Sequence, residues 1–215
     1  HSTKRSLIVA PTGVAAINAG GMTIHSFFQL PLSPFLPEIN VTKRYAFSKE
    51  KRKIIRTLDL LIIDEISMVR ADVLDAMDSV LRRYREHNKP FGGVQLLMIG
   101  DLQQLTPVVT AEEEALLQRY YETPYFFASK ALQAINYVTI ELTHVYRQQD
   151  SGFITLLNNI RDGKASSADL QKLNERYNPS FQPEAGSDYI RLTTHNRTAE
   201  SYNEEQLRSQ PNKAF

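Results

Sequence analysis

Leu60-Leu61-Ile62-Ile63-Asp64-Glu65 is the stretch on which the fold turns. Four aliphatic residues without a polar break describe a strand buried on both faces, and the acidic pair marks where it leaves the core. The same design repeats outward in both directions. Upstream, Ser6-Leu7-Ile8-Val9-Ala10 is a short apolar run stopped by Pro11 and followed by Thr12-Gly13. Downstream, Val94 to Ile99 ends in Gly100-Asp101-Leu102-Gln103-Gln104, and Tyr137 to Leu142 reads as a fourth strand. Thr12 is placed to cap a short helix through Ala15, Ala16 and Ile17, which Gly20-Gly21 ends. Val69, Val73, Met77, Val80, Leu81 and Tyr84 fall three and four apart and so share one helix face. Strands alternating with helices predict an α/β chain with a mostly parallel sheet and helices on both faces.

After Arg147 the pattern restarts. Phe153, Leu156, Leu157 and Ile160 mark a helix face, with Gly163 where a C-terminal cap belongs. A second helix is expected near Leu170 to Tyr177, then a loop or linker from Asn178 to Gly186. Tyr189 to Thr193 reads as a fifth strand, followed by a helix carrying Ala199, Tyr202 and Leu207. This predicts a first domain over 1–148 and the start of a second over 149–215. Residues 29–58 interrupt the first. Pro31, Pro34 and Pro37 forbid long regular structure there, and 43–56 holds seven basic residues against one acidic, Glu50.

That local run matters because the whole chain is balanced. Its 215 residues include 25 basic and 24 acidic, a net charge of +1, so any surface for a polyanion must be a patch. No cysteine is present, which excludes disulfides and cysteine-ligated zinc. The five histidines are scattered and none forms a His-x-x-x-His pair. No apolar run approaches the ~18–20 residues of a membrane span, and no signal peptide is visible, so no membrane partner is expected.

In open parallel sheets, ligands sit beyond the carboxyl ends of the strands. Ala10 to Gly13, Asp64-Glu65 and Gly100 to Gln104 would line one such edge. Four aliphatics followed by Asp-Glu form the Walker B pattern of nucleotide hydrolases. Asp64 would supply a hard oxygen to Mg²⁺, and Glu65 would orient the attacking water; the plainer reading is an acidic pair that solvates a strand end. Gln104 can reach a γ-phosphate or the water, or be an ordinary loop glutamine. Arg147 can neutralise charge on a transferring phosphoryl group, or pair on the surface. The phosphate-binding loop Gly-x-x-x-x-Gly-Lys-Ser/Thr does not occur. Gly163-Lys164 is followed by Ala165, with Asn158 where the first glycine belongs, and reads as a helix stop. Thr12-Gly13 opens a helix, a ready phosphate site through free N–H groups. Thr23, His25 and Ser26 add donors nearby. Phe27 and Phe28 either stack on bases or pack in the core, and the basic run either tracks a phosphate backbone or is a solvated helix face.

Taken together these segments resemble the PIF-type (petite integration frequency) DNA helicases of superfamily 1B, relatives of the RecD type. The matching text is Ala10-Pro11-Thr12-Gly13-Val14-Ala15-Ala16, Gly21-Met22-Thr23-Ile24-His25-Ser26-Phe27-Phe28, Asp64-Glu65-Ile66-Ser67-Met68-Val69, and Gly100 to Val108. It continues in Leu142 to Gln148 and Thr193 to Ala199. The Thr-x-His-Ser-Phe-Phe and Asp-Glu-x-Ser-Met-Val strings are the specific ones. Thr106 stands where the family usually has the first of two prolines.

The resemblance implies two RecA-like domains, each incomplete here, with ATP in the cleft between them and single-stranded DNA across the top. Motion would run 5′ to 3′. By matching position, Asp64 would serve Mg²⁺, Glu65 the water, Gln104 the γ-phosphate and Arg147 the transition-state charge. Thr12, Gly13, Thr23 and His25 would hold the DNA backbone, as would Thr194 and Asn196 from the second domain. The insertion matches the position of a small wedge element. The phosphate-binding loop should lie a short helix upstream of Ser6, and later motifs of the second domain are missing. Both ends therefore read as cuts in a longer protein, and the isolated chain is expected to be inactive. The expected partners are single-stranded and duplex or fork DNA, and the expected state is a monomer. DNA repair, recombination and telomere maintenance are the expected processes. The expected compartment is a bacterial or phage-infected cytoplasm or, in a eukaryote, the nucleus or mitochondrion. A RecD-like or relaxase-linked helicase is the alternative within this chemistry. A nucleotide switch, or a DNA-binding module without ATPase activity, is the alternative outside it.

Overall fold

The computed structural model describes residues 4–36, 47–184, 187 and 189–208. The chain divides into two compact units, His1–His144 and Val145–Phe215. In the first, β1 (Ser6–Ala10), β2 (Met22–Thr23), β3 (Leu60–Ile63) and β4 (Gln95–Met98) form one sheet in the order β2-β1-β3-β4. All three pairings are parallel, and Leu7 and Leu61 stand in register, as do Ile63 and Met98. Parallel pairing requires every connection to cross over and return. It therefore brings the carboxyl ends of all four strands to one edge.

The connections are helical. Helix α1 (Gly13–Asn18) and α2 (Ile24–Phe28) follow β1 and β2, each capped by a threonine. Helix α3 (Lys49–Thr57) precedes β3 and buries Ile55. Helix α4 (Ala71–Tyr84) follows β3 after a 3₁₀ turn at Ile66–Met68. The core lies where α2, α3 and α4 meet the sheet: Val9, Leu61 and Ile63 pack with Phe28, Ile55, Leu74, Met77 and Leu81, each at most 1% exposed. Removing water from these side chains contributes ~1.5–3 kcal/mol apiece. Short α5 (Ala111–Leu117) and α6 (Lys130–Gln133) complete the unit.

The strands expected at 6–10, 60–63 and 94–99 are present, within a residue or so at their ends. The one expected at Tyr137 to Leu142 is not: Val138, Ile140 and Leu142 are 87%, 79% and 88% exposed, and the segment joins no ladder among the described residues. Apolar alternation supplies propensity, but a strand exists only where a neighbour accepts its N–H groups and donates to its carbonyls. Among the described residues β4 pairs with β3 alone, and its other edge offers no link to 137–142.

The second unit holds α7 (Ser151–Arg161), α8 (Ser167–Asn174) and α9 (Asn196–Arg208). Asp150 caps α7 by accepting from Phe153 N, and Ser166 with Asp169 forms a capping box for α8. Gly163 takes the positive φ, 67°, that stops α7. The strand expected at Tyr189 to Thr193 is absent for the same reason as at 137–142, with Ile190 and Leu192 largely exposed. Pro37, Lys43 and Arg44, part of the wedge-like insertion expected over 29–58, lie outside the described residues, as does Gly186. No helix among the described residues is long and apolar enough to cross a membrane.

Candidate nucleotide and nucleic-acid site

Three strand ends meet at one edge of the sheet. Past β3 the ladder runs on: Asp64 N donates to the Val9 carbonyl at 2.9 Å, and Ile99 N donates to the Ile63 carbonyl at 2.9 Å. Ile66 N then donates to the Ile99 carbonyl at 2.9 Å, so the turn after the acidic pair is held by the end of β4. Asp64 and Glu65 are half-buried there. Glu65 sits in the left-handed region at φ 52°, ψ 45°, and its N–H donates to Asp64 Oδ1 at 3.1 Å. A left-handed glutamate is a strained choice, found where the surrounding structure over-determines it. The left-handed turn at Glu65 lets the 3₁₀ turn begin only two residues past the strand.

The segment after β4 is packed against that turn through Gly100, where an added Cβ would lie 2.9 Å from Ile66 Cγ2 and 3.0 Å from Ile66 N. Asp101 follows and organises its own loop. It accepts from Gln103 N at 2.9 Å and from Gln104 Nε2 at 3.1 Å, while Gln104 N donates to its carbonyl at 3.1 Å. Gln104 is exposed and held on this loop by Asp101. Among the described residues no group of three or more His, Asp or Glu converges as a ready metal site. The donor set nonetheless suits Mg²⁺. That ion uses one or two protein carboxylates and takes its remaining oxygens from phosphates and water, and Asp64 keeps Oδ2 beside an Oδ1 that accepts from Glu65 N.

The nucleic-acid candidates occupy the adjoining strand ends. Ala10 and Thr23 are in register across β1 and β2, so the Thr23 cap lies beside the end of β1, from which Thr12 is two residues on. Thr12 Oγ1 accepts from Ala15 N at 3.2 Å, and Thr23 Oγ1 accepts from Ser26 N at 3.3 Å. Each hydroxyl keeps its own proton to donate, and the first-turn N–H groups after each cap have no helical acceptor. Gly13 is exposed, and an added Cβ there would meet nothing within 4 Å. His25 is held below the ordinary histidine range by burial first and by the Arg70 charge second, with Asp72 pulling the other way. It is therefore neutral near pH 7 and presents one ring donor and one acceptor.

Phe27 and Phe28 are core residues, 3% and 1% exposed, packed edge to face at 5.0 Å between centroids. Of the two readings open for them, stacking on bases is the one the structure rules out. The basic run is amphipathic where it is described: α3 buries Ile55 and exposes Lys49, Lys53 and Arg56. Lys51 turns inward instead. Its ammonium donates to the Ser26 carbonyl at 3.2 Å and lies 5.1 Å and 4.8 Å from the ring centroids of Phe27 and Phe47. That ties the insertion to the His25 turn.

Arg70 is the residue that sequence reasoning missed. It donates through Nε and Nη2 to Asp72, at 2.8 Å each, and through Nη1 to Glu113 at 3.0 Å. Burial works against its charge, but the two carboxylates outweigh burial and hold it protonated. No spacing rule marks it; only its place directly after Asp64 to Val69 could have drawn attention. Arg147, Thr194 and Asn196 belong to the second unit. Arg147 is exposed on a bend before α7, Thr194 Oγ1 lies 2.9 Å from His195 Nδ1, and Asn196 begins α9.

A family model described as PIF1-like helicase matches residues 1–171. The human ATP-dependent DNA helicase PIF1 is 36% identical over 97% of this chain and 31% of its own length. The Saccharomyces cerevisiae ATP-dependent DNA helicase RRM3 is 33% identical over 95% and 27%. Among solved structures, Pif1 helicase from Bacteroides in complex with ADP-AlF3 and single-stranded DNA has a TM-score of 0.92 at 39% identity, covering 99% of this chain and 49% of that one. A structure described as DNA unwinding at forked duplex DNA by two coordinating Pif1 helicases has a TM-score of 0.89 at 40% identity, covering 96% and 48%. The chain thus spans less than a third of these curated relatives and about half of these solved chains. By sequence and by its RecA-like parallel sheet, it belongs to the PIF1-like helicase family.

Proposed function

We propose that this chain is part of the motor of an ATP-dependent DNA helicase that moves 5′ to 3′ along single-stranded DNA and opens duplex or forked DNA. The observation that carries the reading is a single sheet edge. It sets an acidic pair and a tethered glutamine beside two threonine-capped helix starts on the neighbouring strands. One half of that edge suits nucleotide hydrolysis and the other suits a phosphate backbone. Sharing one short sheet gives each a rigid mechanical link to the other.

In this reading Asp64 holds Mg²⁺, which would neutralise charge on the phosphates. Glu65 accepts a hydrogen bond from the attacking water and aims it. Gln104, released from Asp101, can bond the γ-phosphate and report its presence to the β4 loop. Arg147, from the second unit, meets the charge that develops on transfer. Thr12, Gly13, Thr23 and His25, with Thr194 and Asn196, grip the strand, and α3 with the rest of the insertion works at the duplex junction. We read the motor as a monomer serving DNA repair, recombination and telomere maintenance.

The test is ATP hydrolysis by the full-length protein with and without single-stranded DNA, with Glu65→Gln beside it, and strand displacement on forks of each tail polarity. Turnover stimulated by DNA and abolished in Glu65→Gln, with unwinding from 5′ tails only, is the expected result. Turnover indifferent to DNA and to Glu65 would refute the motor and leave the switch reading.

A further inference from the structure

The first unit holds a cavity of about 230 Å³ just below the threonine caps. Val69 is in its wall, Thr12, His25 and Arg70 place polar groups in it, and Leu32 and Val108 stand at its margin. Those last two are 82% and 79% exposed, so solvent reaches the cavity past them. The cavity carries no free positive charge. The Arg70 guanidinium is ion-paired with both Asp72 and Glu113, and His25 is neutral near pH 7. A phosphate would leave water and gain no countercharge here. A flat, uncharged ring with polar atoms at its rim would find aliphatic walls for its faces, and a hydroxyl and an imidazole for its edge. The caps of α1 and α2, to which the proposed function assigns the phosphate backbone, adjoin the cavity through Thr12 and Ile24.

From this division we infer that the cavity receives one nucleobase of the single strand whose backbone crosses Thr12 and Thr23. Leu32 and Val108 close over the base, and Arg70, pinned by its two carboxylates, shapes the wall without reading charge. The inference rests on the DNA-binding reading and adds to it a fixed point. A base seated in a pocket would resist the sliding that sequence-independent phosphate contacts allow.

The experiment uses the full-length protein without nucleotide and a forked DNA whose junction fixes the register. A single abasic unit is walked along the 5′ tail, and affinity is read by fluorescence anisotropy at constant salt. One position is expected to lose about tenfold in affinity, the scale of taking one ring out of aliphatic contact. In Leu32→Ala and Val108→Ala, both at exposed sites that leave the core intact, the penalty at that one position is expected to shrink towards none. Equal affinity with the abasic unit at every position would overturn the cavity proposal while leaving the DNA reading in place. A penalised position that neither variant changes would also overturn it, by placing the base elsewhere. Failure of the unmodified fork to bind would remove the DNA reading and the proposal with it.

Discussion

Glu65 combines a strained backbone with a reactive side chain, and substitution separates the two. Glu65→Gln keeps the shape and removes the base, and is expected to lower DNA-stimulated ATP turnover by about 10²–10⁴-fold with the unfolding midpoint nearly unchanged. Glu65→Gly relieves the positive φ of 52°. It is expected to match or exceed the wild-type midpoint while being equally inactive, because glycine enters the left-handed region without steric cost. Thermal melts beside steady-state turnover decide both. His25 gives a pH signature. Its charged form is disfavoured by burial and by Arg70, so its folded value lies below the ordinary 6.5. The unfolded chain then binds the proton more readily, and stability present above pH 6.5 is lost as pH falls through that window. Urea midpoints from pH 7 down to about 5.5 should decline in the wild type and flatten in His25→Gln; an unchanged slope would contradict the burial of a neutral ring. Arg70→Met strands Asp72, whose side chain is 0% exposed. An uncompensated buried carboxylate costs about 3–5 kcal/mol, which denaturant unfolding would register.

At the scale of elements, α4 does more than bury a face. Asp72, Asp75 and Asp78 lie three residues apart on it, and each clamps a different loop by accepting a backbone N–H. Asp72 takes Phe35 N at 2.9 Å, Asp75 takes Ala131 N at 3.0 Å together with the hydroxyls of Tyr121 and Ser129, and Asp78 takes Phe91 N. The apolar spacing of α4 was legible in its sequence; this acidic stripe was not, because its partners lie far along the chain and become neighbours only when it folds. The same holds for β2, two residues long and with no periodicity to read. It exists because Gly21 lets the chain lie against β1. An added Cβ there would lie 2.4 Å from the Ile8 carbonyl oxygen. Gly21→Ala is therefore expected to cost at least ~1–3 kcal/mol and to disturb Thr23 and His25. Gly13→Ala, which meets nothing within 4 Å, should be nearly neutral to stability. Chemical denaturation of the pair gives the contrast, and equal effects would argue against the close approach.

At the scale of the whole molecule, the two units differ in how they are held. The first has a continuous core of aliphatic and aromatic side chains. In the second, Leu156 is the one described residue that is buried, and Phe153, Leu157, Ile160, Leu170 and Leu173 remain 38–49% exposed. Local opening is least costly where few apolar contacts hold an element. Amides of α7 to α9 in this chain should exchange with solvent far faster than those of β1, β3 and α4 by hydrogen-exchange mass spectrometry. Protection equal to that of the sheet would mean that the second unit is stabilised by packing outside its own helices.

By itself the sequence determined the strands that carry Ala10, Ile63 and Met98, the main helices, and the chemical groups at the strand ends. These follow from local composition: unbroken apolar runs, helical spacing and capping residues act over a few positions. It also determined that the chain has no thiol and that its basic charge is concentrated at 43–56. The tertiary structure decided what depends on distant neighbours. It sent Phe27 and Phe28 into the core, turned Lys51 inward, gave Arg70 its two carboxylates and opened a cavity under Thr12. It also left 137–142 and 189–193 without ladders. A strand, a buried ion pair and a pocket are each made by segments far apart in the chain, and no window of residues contains both sides of such a contact.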